Sequence, residues 1–306
     1  MIQRASVVGE LAARLIAREG RGEVTRVFQR STYIRTGEDY FLLHWGDLKS
    51  PMAVNMVYED GEGPLPEPGE GCSLGGWRVG FESWTVDANE AEVHRSGLTR
   101  RRRMTLPEER DVVKGIAMLK SLYDAYPSGP TLPSDESLKS FALETLVPFA
   151  EGSGVRVYEP MRYLPIIGRG GGFTPAGDDF VGGFLATFNC FARCTRVQQI
   201  SIPLRLLAGR TVPESAALLS YASRGYMDEP FERLILGVLR GRAFFDDLLE
   251  VAHRGHTSGI DASLGVILAV AALSDRSEGG DSLRECLRVM WNHKGERFIP
   301  SRTAMK

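Results

Sequence analysis

The sequence predicts an α+β protein, a small β-rich domain of sandwich or barrel type followed by a mostly α-helical domain. Three observations predict it. Residues 22–93 are rich in β-branched and aromatic side chains broken by turn signals, a strand texture. Beyond residue 105, apolar residues recur at helical spacing behind capping residues. Two glycine-rich helix starts, near Gly168 and Gly255, interrupt that helical stretch and carry acidic side chains. The expected division is residues 1–104 for the β-rich domain, with an N-terminal helix, and 105–306 for the helical domain.

In chain order, Met1 to Gly20 reads as an amphipathic helix over Val7, Leu11, Leu15 and Ile16, with no signal-peptide core. Val24–Thr36 and Tyr40–Trp45 read as strands separated by the turn Gly37-Glu38-Asp39, and Met52–Tyr58 as another. Gly61–Gly76 is rich in glycine and proline and reads as a loop with short pieces; Trp77–Phe81 and Trp84–Val86 close the sheet. Arg100–Arg103 is a basic run without aromatic interleaving. It reads as a solvated interdomain segment or a subunit contact.

Thr105-Leu-Pro-Glu108 has the form of a capping box, and Val112, Ile116, Leu119, Tyr123 and Tyr126 form the stripe of the helix behind it. Pro127–Pro133 is a linker, and Ser134 caps the next helix. Thr211-Val-Pro-Glu214 caps a helix ending near Gly225. Helices over Glu229–Arg240 and Ala243–Arg254 are punctuated by Gly241 and Gly255, and Ser282–Trp291 adds one more.

The chain of 306 residues is 43% hydrophobic and 25% charged, with a formal net charge of −2. That balance exerts no general pull toward nucleic acid or anionic membranes. The four cysteines lack the paired spacing of a zinc site, and Cys190 with Cys194 suits core packing. The longest apolar run, Ala262–Leu273, is short for a membrane span. The expectation is a soluble chain, cytoplasmic by default, with neither nucleic acid nor membrane as partner.

The chemistry concentrates in Gly168–Ala186. Gly168, Arg169, Gly170, Gly171 and Gly172 form a loop that runs into a helix start, with Thr174 as N-cap and Pro175 at the first helical position. Such a start suits phosphate or carboxylate. Asp178 and Asp179 follow in the first turns. Gly182 and Gly183 lie on the same faces four residues later, where a missing side chain admits a ligand, a metal or another backbone. The loop lacks the Lys-Ser/Thr of a P-loop, and its helical setting does not fit a dinucleotide-binding fold.

Gly255-His-Thr-Ser-Gly-Ile-Asp261 echoes this start. Both contain Gly-x-Asp-x-x-x-Gly, as Gly177/Asp179/Gly183 and Gly259/Asp261/Gly265, with Thr174 and Thr257 just upstream. The expectation is that both starts face one cleft. The candidate catalytic residues are Asp178, Asp179, His256 and Asp261. The candidate ligand-binding residues are Arg169, Gly170, Gly171, Gly172, Thr174, Gly177, Thr257, Ser258 and Gly259. Each motif also has a purely structural reading, as a helix cap with glycines that permit tight packing.

The run Gly-Gly-Phe-Thr-Pro-Ala-Gly-Asp-Asp-Phe-Val-Gly-Gly, with Gly-His-Thr-Ser-Gly-Ile-Asp downstream, resembles the AllH family of oxamate carbamoyltransferase subunits. Phe173 stands where the family pattern has leucine. The resemblance implies a subunit of a multi-subunit enzyme of purine-derived ureide breakdown. Its small anionic ligands would be carbamoyl phosphate, oxamate or oxalurate, and its partners the other subunits. Two alternatives accompany it: a non-catalytic interface or regulatory ligand-binding subunit, and a Mg²⁺-dependent hydrolase using Asp178, Asp179 and Asp261, with Asp178 and Asp179 as metal ligands.

Overall fold

A computed structural model describes residues 1–57, 65–101, 103–125, 132–255 and 257–291. The chain is α+β: a barrel-like sheet formed by residues 2–94 precedes a helical region. The strands are β1 (Ile2–Gly9), β2 (Gly20–Val27), β3 (Ser31–Thr36), β4 (Asp39–Trp45), β5 (Ala53–Met56), β6 (Gly71–Gly75), β7 (Arg78–Gly80), β8 (Thr85–Asp87) and β9 (Glu92–His94). Their order is β5-β4-β3-β2-β6-β7-β8-β1-β9, and β1 also pairs with β5, so the sheet closes on itself. Closure gives β5 a partner on both sides and leaves the three-residue β9 at the end of the order.

The N-terminus corrects the sequence reading. Residues 2–9 form a strand rather than the start of a helix, and only α1 (Glu10–Ile16) is helical. Strand β1 is what closes the barrel, through Ala5, Val7 and Val8 on β5. Helix α1 sends Ala12, Ala13 and Ile16 into the barrel core. Helical spacing over Val7, Leu11 and Leu15 gave no warning, because one strand followed by two helical turns spreads apolar residues much as a longer helix does.

Strand β4 explains how the barrel joins the helices. Phe41, Leu43 and Trp45 belong to the barrel core, whereas Tyr40 and Leu42 belong to a second cluster with Met52, Ala217 and Tyr221. Alternation with period two thus serves two cores from one strand. The Tyr221 hydroxyl accepts from Tyr40 N at 2.9 Å and lies 3.0 Å from Asp39 Oδ1, to which it donates. Nearby, Gly97 N donates to Glu232 Oε1 at 2.6 Å and Glu229 N to Lys49 O at 2.8 Å.

The helices are α2 (Glu109–Ala125), α3 (Glu136–Phe141), α4 (Val147–Ala150), α5 (Ala176–Cys194), α6 (Leu204–Leu207), α7 (Pro213–Arg224), α8 (Glu229–Val238), α9 (Phe245–Ala252), α10 (Ser258–Glu278) and α11 (Ser282–Trp291). Val112, Ile116, Leu119 and Tyr123 of α2 are buried, as their spacing predicts, while Tyr126 and most of the expected linker 127–133 lie outside the described residues. Two caps are misplaced in the sequence reading. Thr105 pairs with α8's end, its N–H donating to Leu239 O at 2.9 Å, and α2 begins only at Glu109. The cap of α3 is Asp135, whose side chain accepts from Ser137 N at 2.7 Å, rather than Ser134.

Helices α5 and α10 form the centre of the helical part, buried along almost their whole lengths. Helix α10 is in fact long and apolar enough to cross a membrane, longer than the run Ala262–Leu273 suggested; 94% of its most apolar window is buried inside the protein. Phe180, Phe184 and Phe188 line one face of α5 at helical spacing; Phe180 and Phe184 pack against Phe141, Phe184 also against Tyr163, and Phe188 against Phe149.

Candidate functional site

The two glycine-rich helix starts meet at the crossing of α5 and α10. A Cβ on Gly183 would overlap the carbonyl oxygen of Ala262, and one on Gly265 would overlap that of Phe180. The contacts are reciprocal: each helix sets its second glycine on the carbonyl of the residue just after the other's aspartate. Backbone, rather than ligand or metal, therefore fills the space beside Gly183. The first glycines act alike, Gly177 admitting Ile166 O and Gly259 admitting Val251 O. Gly182 differs. Its nearest neighbours are the side chains of Ala222 and Leu219, each 3.9 Å from a built Cβ, and it lines open space.

Neither helix start is capped as the sequence suggests. Pro175 occupies the N-cap of α5 and no side chain caps it. Thr174 turns inward, its hydroxyl donating to Asp179 Oδ2 at 3.0 Å. The N–H of Gly177 donates to Arg169 O at 2.9 Å, and that of Gly259 to Arg254 O at 3.2 Å. One backbone donor at each start is thus taken up by the chain itself.

The three aspartates have different surroundings. Asp178 is 2% exposed and ties three segments together. Its Oδ1 accepts from Gly168 N at 2.7 Å, and its Oδ2 from Ser215 Oγ at 2.6 Å and from Thr211 Oγ1. Thr211, read from the sequence as a cap for α7, is a partner of Asp178 instead. Asp261 is 1% exposed and accepts from the Tyr123 hydroxyl at 2.7 Å. Burial pushes its carboxyl up to about 6, opposed by the hydroxyls of Tyr123 and Thr257. Asp179 is partly exposed. Burial pushes it up to about 8, opposed by bonds from Ser258 and Thr174 and assisted by the charges of Asp261 and Asp178. At neutral pH it is mostly a neutral acid.

Asp178 and Asp179 border a cleft of about 440 Å³ between barrel and helices. Thr174, Asp178, Asp179, Ser258 and Gly259 line it, so the two motifs share one cleft. The Thr174 and Ser258 hydroxyl oxygens are 3.3 Å apart. Gly177, Thr257 and Asp261 stand outside the lining, and Asp261 faces Tyr123 in the core. Arg169, Gly170, Gly171 and Gly172 are exposed and also outside it; Arg169 Nε donates to Pro165 O at 3.2 Å. His256 lies outside the described residues.

Sequence reasoning missed the opposite wall. Ser31, Tyr33, Leu42 and Met52 reach the cleft from the barrel, and Asp228 and Arg254 from the helices, paired at 3.6 Å. Arg254 adjoins Gly255 and was within reach of the motif. Tyr33 was not, because only the docking of the barrel brings β3 to this place. Phe173 anchors the glycine loop to that wall, its ring centroid 4.9 Å from Tyr33 and 5.0 Å from Phe28.

Both oxygens of Asp178 are occupied by donors, Asp261 is turned to Tyr123, and among the described residues no group of three or more His, Cys, Asp or Glu side chains is placed to hold a metal.

Residues 166–270 match the family model described as oxamate carbamoyltransferase subunit AllH, so the family resemblance carried by the two motifs is shown over that segment. The match covers roughly a third of the chain and leaves the barrel outside it. No curated protein and no solved structure matches the chain.

Proposed function

Taking residues 166–270 as a segment of AllH type, we propose that the chain is a subunit of a carbamoyltransferase complex and that the cleft binds the substrate's ureide or amide group. The single observation carrying this reading is the meeting of Thr174, Asp179 and Ser258, drawn from both motifs, on one cleft inside the matched segment.

In oxalurate phosphorolysis, a phosphate oxygen bonds to the carbamoyl carbon and the C–N bond to oxamate breaks. The leaving nitrogen then needs a proton. Asp179, with its carboxyl raised to about 8, holds one at neutral pH and suits the role of general acid; in the reverse direction its carboxylate takes the proton back. Arg254 is the cation lining the cleft among the described residues, and Asp228 already pairs with it. A phosphate needs more positive charge than that. The remaining cations then come from another subunit, which favours an assembled enzyme over a chain active alone.

Co-expression with candidate partner subunits tests the reading. The expected result is copurification and phosphate-dependent cleavage of oxalurate by the complex but not by the chain alone. Mg²⁺-dependent hydrolysis by the isolated chain would overturn it.

A further inference from the structure

We infer that Tyr33, contributed by the barrel, is the hydrogen-bond donor that recognises a ligand carbonyl in this cleft and makes it selective for neutral primary amides and ureas over carboxylates. The inference rests on the cleft being the substrate site, and it adds the ligand chemistry and a residue from outside the family match.

Geometry supplies the first part of the argument. Tyr33 sits in β3 opposite Leu42 of β4, on the barrel face turned to the helices. Its ring lies 6.0 Å from Phe28 and 4.9 Å from Phe173, so aromatic packing fixes the direction of its hydroxyl. Asp228 and Asp179 line the same cleft. They and Glu214 act on the phenol through space, and none of them forms a hydrogen bond with it. A hydroxyl held in a part-buried cleft without an acceptor among the described residues is a donor left for a ligand.

The electrostatics supply the rest. Burial first, then the charges of Asp228, Asp179 and Glu214, push the Tyr33 phenol above its ordinary range, so it stays protonated. The ligand therefore meets one fixed donor with carboxyl groups around it. A primary amide matches that set, its C=O accepting from Tyr33 while its NH₂ donates to the carboxyls. An isosteric carboxylate has no N–H to offer the Asp179 and Asp228 oxygens, and the charge of Asp228 repels it.

The test uses the full chain with propionamide and propionate as probes, read by ligand-observed NMR. Wild type should bind propionamide, and propionate at least tenfold more weakly. Tyr33→Phe keeps the ring and its packing on Phe28 and Phe173. It should weaken propionamide about tenfold without lowering the melting temperature, and bring the two probes' affinities together. Three results would overturn the inference: no binding of propionamide by wild type, equal binding by Tyr33→Phe, or equal binding of propionate by wild type. Oxamate and oxalurate serve as competitors. If they fail to displace propionamide while its Tyr33 dependence holds, the carbamoyltransferase assignment falls and the amide site stands.

Discussion

The hydroxyl oxygens of Thr174 and Ser258 lie 3.3 Å apart, although 84 positions separate the residues. Each belongs to one of the two glycine-rich helix starts, and Asp179 accepts from both. The echo between the motifs is therefore spatial as well as sequential. From this arrangement follow different fates for side chains that look equivalent in the sequence.

Asp178 and Asp179 are neighbours with different duties. Asp178→Asn places an amide N–H₂ among the donors Gly168 N, Thr211 and Ser215, leaving buried polar groups unpaired. The expected cost is about 1–3 kcal/mol, larger than a helix-dipole contact alone. Asp179→Asn, facing the cleft and its hydroxyls, should leave the fold intact. Chemical denaturation of the two variants decides the matter, and equal midpoints would contradict the division of roles.

The glycines separate in the same way. Gly183→Ala and Gly265→Ala drive a methyl into a backbone carbonyl, and each should destabilise by about 1–3 kcal/mol or more. Gly182→Ala meets only Ala222 and Leu219 at ordinary contact distance and should stabilise α5 by up to about 1 kcal/mol while narrowing the cleft. Thermal melts followed by circular dichroism should show opposite signs for Gly182→Ala and Gly183→Ala.

Much of this was legible in the sequence, and what was not has physical causes. The β-to-α change in texture, the turn at Gly37-Glu38 and helix α11 could be read because local propensity and burial agree there. Strand β1 was hidden because its pairing partners are distant residues. The motifs announced a shared cleft, but the direction of each aspartate depends on tertiary donors, Gly168 N and Ser215 for Asp178 and Tyr123 for Asp261. Thr105, Thr174 and Thr211 all resemble caps, yet Thr174 and Thr211 spend their hydroxyls on aspartates and Thr105 stands apart from the helix start. Tyr33 carried no local signal at all.

Stability should depend on pH through the two raised carboxyls. Burial holds Asp179 at about 8 and Asp261 at about 6, above the ordinary 3.8. Each binds its proton more tightly folded than unfolded, so its stabilising contribution is complete below about pH 4 and is lost as pH rises through the folded value. Asp261 has lost most of its contribution by about pH 6, and Asp179 continues to lose its own up to about pH 8. Wild type should lose stability from about pH 6 to 8, at most about 1.4 kcal/mol per pH unit for one proton. Asp179→Asn should lack that component, and identical pH slopes for the two proteins would contradict the assignment.

The central claim is that the two motifs build one substrate cleft in which Asp179 handles the proton. The direct measurement is oxalurate phosphorolysis at pH 7 by the co-expressed complex carrying wild type or Asp179→Asn, with complex formation and melting recorded beside it. The account predicts normal assembly, a melting temperature at least that of wild type, and turnover lower by at least tenfold, roughly 1.4 kcal/mol of transition-state stabilisation. Undiminished turnover by a folded, assembled Asp179→Asn complex would contradict it.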